Sequence, residues 1–214
     1  MNQRAHPWLP VSPCGDGCLP AAGTVPAAGS ARQLLRIAAV ATMVLVGLVL
    51  VAPRCGTVFV DRERLSTLPQ TIAAVSGALA GGAAVGAFPE ATTWCGMAGG
   101  RFRPAIFQAA VETATPVRPV ALRYRLAGAG ITTVASFVGA ATLCEAVVLL
   151  TGVRGLVVEV ELLPVLPAQG VDRRALAAQA GAAVGDASQP HPSATLGWCC
   201  DDVPRPRRHH SDAA

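Results

Sequence analysis

The chain has 214 residues, of which 52% are hydrophobic and 14% charged, enough for one domain with an appendage. Its net charge of +4 is modest, which argues against a nucleic-acid surface, and all 17 basic residues are arginine, which leaves no lysine for a G-x-x-x-x-G-K-[ST] phosphate loop. Seven cysteines without a repeating spacing argue against a disulfide framework.

Residues 1–33 are rich in Pro, Gly and Ala and carry no sustained period, so they read as a disordered leader. Cys14 and Cys18 stand in "SPCGDGCLP", while Cys199 and Cys200 are adjacent near the other end. A zinc site usually shows C-x-x-C or Cys/His pairs at matched spacing. Of the histidines, only His191, His209 and His210 lie near the second pair, so no metal site is expected and the thiols should be reduced and unligated.

Next comes "LLRIAAVATMVLVGLVLVAP", residues 34–53, uncharged from Ile37 to Ala52 and bracketed by Arg32, Arg36 and Arg54. Its length suits a membrane-anchoring helix, with Arg36 snorkelling to the headgroups. A buried core helix is the alternative. The long leader and the missing A-x-A site exclude a cleaved signal peptide, and basic residues at both ends leave the orientation open.

Residues 54–185 alternate in type. "GTVFVDR" reads as a short strand, and "LPQTIAAVSGALAGG" as a helix with Ile72, Val75 and Leu79 at helical spacing. "AAVGAF" is a continuous apolar run expected to be a strand buried on both faces. "RFRPAIFQAAVETA" reads as a helix with Phe102, Ile106 and Ala110 on one face and Pro104 in its first turn. "VRPVALRYRL" places Val120, Leu122 and Tyr124 on one face of a strand, Arg123 and Arg125 on the other. "LVVEVELLPVL" alternates too, with Glu159 and Glu161 on a wet face, and "DRRALAAQAGAAV" reads as a last helix. Residues 186–214 form a Pro/Arg/His tail expected to be disordered. The order of elements is an α/β pattern.

In such folds, ligands meet loops beyond the carboxyl ends of strands. Asp61-Arg62 and Glu90 occupy that kind of position, and an arginine there offers a planar fork of donors suited to phosphate. The turns "EATTW" and "GMAGGRFR" add hydroxyls, backbone amides and Arg101 and Arg103. These residues suggest a small phosphate-bearing ligand; a surface ion pair between Glu90 and an arginine is the alternative. No nucleophile elbow replaces them, because the residue two before Ser76 is Ala74 where G-x-S-x-G needs glycine.

Three blocks in order resemble the glycerolipid acyltransferases, in particular the bacterial 1-acyl-glycerol-3-phosphate acyltransferases. "GTVFVDR", Gly56 to Arg62, resembles G-x-x-F-I-D-R; "FPEATTW", Phe88 to Trp94, resembles F-P-E-G-T-R-S; and "VRPV", Val117 to Val120, resembles V-x-P-V. The resemblance runs from Gly56 to about Val184. It implies acyl transfer from an acyl thioester, on coenzyme A or acyl carrier protein, to lysophosphatidate, with no further cofactor and no nucleic-acid partner. It also implies a membrane lipid environment at the bacterial cytoplasmic membrane. By carry-over, Arg62 holds the acceptor phosphate and Glu90 orients the acceptor or its arginine clamp, with Thr92, Arg101 and Arg103 completing the substrate site.

The chain departs from the family at three points. Ala91 stands in place of the glycine, Thr93 in place of the arginine, and no H-x-x-x-x-D exists anywhere: Val11, Leu196 and Ala214 follow His6, His191 and His209 by five. In the family that histidine takes the proton from the attacking hydroxyl, so no catalytic residue is assigned here. Only Pro53, Arg54 and Cys55 separate the apolar run from Gly56. The expected fold is therefore an N-terminal membrane helix followed by an incomplete glycerolipid-acyltransferase-like α/β domain. The alternatives are a non-catalytic lipid-phosphate-binding remnant, a deletion fragment, and an unrelated small membrane protein.

Overall fold

The computed structural model describes residues 14–20, 24–46, 56–58, 60, 64–97, 99–139 and 142–188. Residues 47–53 of the expected anchor, Arg62 with its neighbours Asp61 and Phe59, and the expected tail from residue 189 lie outside them.

The elements run α1 (Ser30–Val46), α2 (Leu68–Ala80), α3 (Phe107–Glu112), β1 (Val120–Leu126), β2 (Gly130–Ile131), α4 (Leu143–Gly152), β3 (Leu156–Leu162) and α5 (Arg173–Ser188). Helices and strands mix as an α/β reading requires, but the sheet is small and antiparallel, in the order β2-β1-β3. Helix α2 has a proline in its first turn and closes at Gly81, whose amide bonds the carbonyl of Gly77. Helix α4 opens on a capping box: Thr142 and Glu145 satisfy each other's backbone amides.

The main core lies between α3 and α5. Phe107 and Ala110 pack against Leu176, Ala177 and Ala180, with Phe102 and Ile106 at the edge. Phe102, Ile106 and Ala110, which helical spacing places on one face, all belong to this core, and Phe107 joins them. The helix itself is shorter than the sequence predicts, because residues 104–106 form a turn and α3 begins only at Phe107. A six-residue helix holds here through packing, since so short a segment has little helical stability of its own.

The sheet uses its two faces in an unexpected way. Val120 pairs with Leu162, Leu122 with Val160 and Tyr124 with Val158, which makes one apolar face. That face is bare among the described residues: Leu162 is 63% exposed and Val160 60%. The polar face is the one that meets α5. There Arg123 pairs with Glu161 and Glu159, Arg125 pairs with Glu159 at 3.0 Å, and Arg123 also donates to the carbonyl of Ala187 near the end of α5. An arginine is favoured there because the helix leaves its last carbonyls unpaired.

Two expected strands are not formed among the described residues. Residues 83–88, "AAVGAF", form no strand and lie exposed, since a strand buried on both faces needs two covering layers that the described residues do not supply. Gly56 to Val58 and Val60 of the first block are likewise in no strand. Helix α1 has 17 residues, and no helix among the described residues is long and apolar enough to cross a membrane. Arg36 is engaged within the fold. Its Nη1 donates to the carbonyls of Thr151 at 3.2 Å and Val153 at 2.7 Å, capping the end of α4.

Candidate functional site

The FPEATTW block is a turn followed by an extended stretch. The amide of Ala91 closes the turn on the carbonyl of Phe88 at 3.2 Å, and Arg103 donates its amide to Pro89 at 2.8 Å. Two loops, 88–95 and 99–103, are thereby laced together. Ala91 has φ +58°, the left-handed conformation in which a Cβ is unfavourable. The glycine of the resembling motif suits this backbone; alanine takes it under strain.

Glu90 is half-buried, and its Oε1 accepts the amide of Gly100 at 2.8 Å. Burial pushes its carboxyl above the ordinary value, and the Gly100 amide partly offsets this. The surface ion pair considered from sequence is not formed among the described residues, whose ion pairs join Arg123 and Arg125 to Glu159 and Glu161. Next to this bond the loop is tightly built. A Cβ on Gly100 would sit 2.7 Å from Trp94 Nε1, and one on Gly99 would sit 3.0 Å from Glu90 Oε1. Trp94 Nε1 is buried without a hydrogen-bond partner among the described residues.

Between this loop and α5 lies a groove of about 530 Å³, walled by Gly99, Gly100, Arg101 and Phe102 on one side and Arg174, Ala177 and Gly181 on the other. Arg101 lines this groove; Glu90 does not, though it braces Gly100 in the wall, and Arg62 lies outside the described residues. Arg103 is exposed and outside the groove lining, and Thr92 is half-buried in the turn. Arg123 and Arg125 are engaged with glutamates on the sheet. Sequence reasoning missed Arg174. It opens α5, where Asp172 accepts its amide at 2.9 Å, and only the packing of α5 on the loop reveals its place.

Arg101 and Arg174 bring two cationic side chains suited to an anion to the groove, while the amide of Gly100 is already taken by Glu90. For acyl transfer, the groove still needs a proton acceptor. Glu90 is committed to Gly100, and every histidine of the chain lies outside the described residues.

No curated protein and no solved structure matches the chain. The family model Acyltransferase matches residues 27–123, a stretch that holds the GTVFVDR, FPEATTW and VRPV blocks. That match supports the acyltransferase family for this chain.

Proposed function

We propose that the chain is a lysophosphatidate-acyltransferase-type protein that retains acceptor binding and is impaired in acyl transfer. One observation carries this reading: residues 27–123 match the acyltransferase model and contain all three blocks, yet not one histidine. Loss of a positioned general base costs about 10²–10⁴ in rate, or roughly 3–5.5 kcal/mol of barrier. The acceptor phosphate binds at Arg101 and Arg174, with Arg62 as the further cation by family carry-over. The bare apolar face of β1 and β3 supports the view that part of the family's core is missing. The exposed apolar residues of α1, among them Leu34, Leu35 and Met43, support association with a lipid surface.

The test is an assay of purified chain with lysophosphatidate and acyl-CoA or acyl carrier protein, beside equilibrium binding of lysophosphatidate. The expected result is binding without turnover above a heat-killed control. Inserting a segment with N-H-x-x-x-x-D between Pro53 and Gly56 should recover turnover. Robust turnover by the unaltered chain overturns the impaired reading, and loss of both binding and rescue overturns the substrate assignment.

A further inference from the structure

The sequence separates Cys14 and Cys18 from Cys95 by nearly eighty positions, and the fold brings the three together. All are buried, and their Sγ atoms lie within 4.8 Å of one another. The 3-10 turn Asp16–Cys18, closed by the Cys18 amide on the carbonyl of Gly15 at 3.0 Å, folds the two leader cysteines toward one point. Cys95 comes from the loop just after Trp94, and its carbonyl is held by Ser136 Oγ at 2.6 Å. Val138, Leu19, Trp94 and Met97 pack around the three sulfurs.

We propose that Cys14, Cys18 and Cys95 form a zinc site that clips the leader segment onto the loop carrying Glu90. In a tetrahedral site with Zn–S near 2.3 Å, sulfurs stand roughly 3.8 Å apart, so small side-chain rotations close this cluster on an ion. A disulfide would use two of the three sulfurs and leave the third inside an apolar pocket; a divalent ion uses all three. Soft sulfur donors select Zn²⁺ over Mg²⁺ or Ca²⁺. Binding releases the thiol protons to solvent, and the apolar shell limits access of competing ligands. The site is independent of acyl transfer, because it needs no group in the Arg101 groove.

The full chain is purified without chelator from zinc-supplemented cells and its metal measured by mass spectrometry. The expected content is one Zn²⁺ per chain, absent in Cys14→Ser and in Cys95→Ser, and retained in Cys144→Ser and in the Cys199→Ser/Cys200→Ser double variant. The unaltered chain gives a second readout that does not depend on the variants folding. Cd²⁺ should produce a sulfur-to-metal charge-transfer band of three-thiolate intensity, and three thiols should resist a thiol reagent until chelator is added. Absence of bound zinc, metal lost with the Cys199/Cys200 pair, or a disulfide joining any two of the three each overturns the proposal.

Discussion

Glu90 and Gly100 are joined by a 2.8 Å bond from the glycine amide to the carboxylate, so the acid of the FPEATTW turn braces the wall of the Arg101 groove. The charge that sits oddly after an apolar run thus holds two loops together. Its cost shows in its carboxyl, which burial raises above the ordinary 4.5. A raised folded-state value means that the folded chain binds the proton more tightly than the unfolded one. The stability from this group is therefore fully present below pH 4.5 and is lost as pH rises through the folded value. Glu90→Gln keeps an oxygen for Gly100 and removes the titration. Denaturant unfolding across this window should show that the stability gap between parent and variant shifts in the variant's favour as pH rises. A constant gap contradicts this account of Glu90.

Ala91 gives the second prediction. At φ +58° its Cβ strains the backbone, so Ala91→Gly should stabilise the chain by about 1 kcal/mol, even after the extra freedom of glycine in the unfolded state. Ala74→Gly, on an exposed position inside α2, should do the opposite by about 1 kcal/mol. Opposite signs in chemical denaturation check that the φ value, not glycine itself, decides the effect.

How much of this site the sequence exposes depends on the range of the contacts involved. The apolar/charged alternation of β1 and β3 and the alanine-rich spacing of α5 are local, and both appear where the sequence predicts them. Where the resembling block has glycine, Ala91 takes φ +58°, a backbone that suits glycine. "AAVGAF" fails because its apolarity speaks of burial, and nothing among the described residues covers it. Helix α4 went unread although Thr142 and Glu145 carry the capping-box spacing, since "TLCEAVVLL" shows no clear apolar face. Arg174 and the meeting of Cys95 with Cys14 and Cys18 are long-range facts of packing. No periodicity encodes them.

Gly100 and Gly99 should respond differently to an added methyl. In Gly100→Ala the Cβ meets the Trp94 ring at 2.7–2.8 Å, a rigid, half-buried plane, and the expected loss is about 1–3 kcal/mol with a shift in tryptophan emission. In Gly99→Ala the nearest atom is the Glu90 carboxylate tip at 3.0 Å, which can move aside. Its loss should be smaller, and Trp94 emission should stay as in the parent. Equal losses in the two variants would mean that the indole is not the obstacle.

The groove arginines should separate from the sheet arginines in binding. Arg101→Ala and Arg174→Ala should each weaken lysophosphatidate binding and lessen its salt dependence, because each removes a cation from the groove wall. Arg125→Ala should leave binding unchanged, since that guanidinium is turned to Glu159 at 3.0 Å. Isothermal titration at two ionic strengths reads the difference. Binding lost with Arg125 and kept without Arg101 would move the anion site to the sheet.

Arg36 decides between two destinations for α1. In the fold its guanidinium caps α4 through the carbonyls of Thr151 and Val153, and Gln33 Nε2 adds a bond to the carbonyl of Val148 at 3.1 Å. Charged donors on helix-end carbonyls contribute more than neutral ones, so Arg36→Ala should cost about 1–2 kcal/mol in this partly solvated position. An anchor that lies in lipid makes the opposite demand. There α1 leaves α4, Arg36 meets headgroup phosphate, and the carbonyls of α4 turn to water. Hydrogen exchange at the α1–α4 contact with and without anionic vesicles distinguishes the two. If α1 remains docked, Arg36→Ala destabilises the chain equally in both conditions and the α4 end stays protected. If vesicles take α1 away, protection at the α4 end falls and the effect of Arg36→Ala on stability disappears, while flotation with vesicles weakens in that variant. The docked arrangement predicts the first outcome in solution, and the lipid-surface reading predicts the second once vesicles are added. Protection that stays unchanged together with failure to float would remove the lipid-surface reading and leave α1 as the partner of α4.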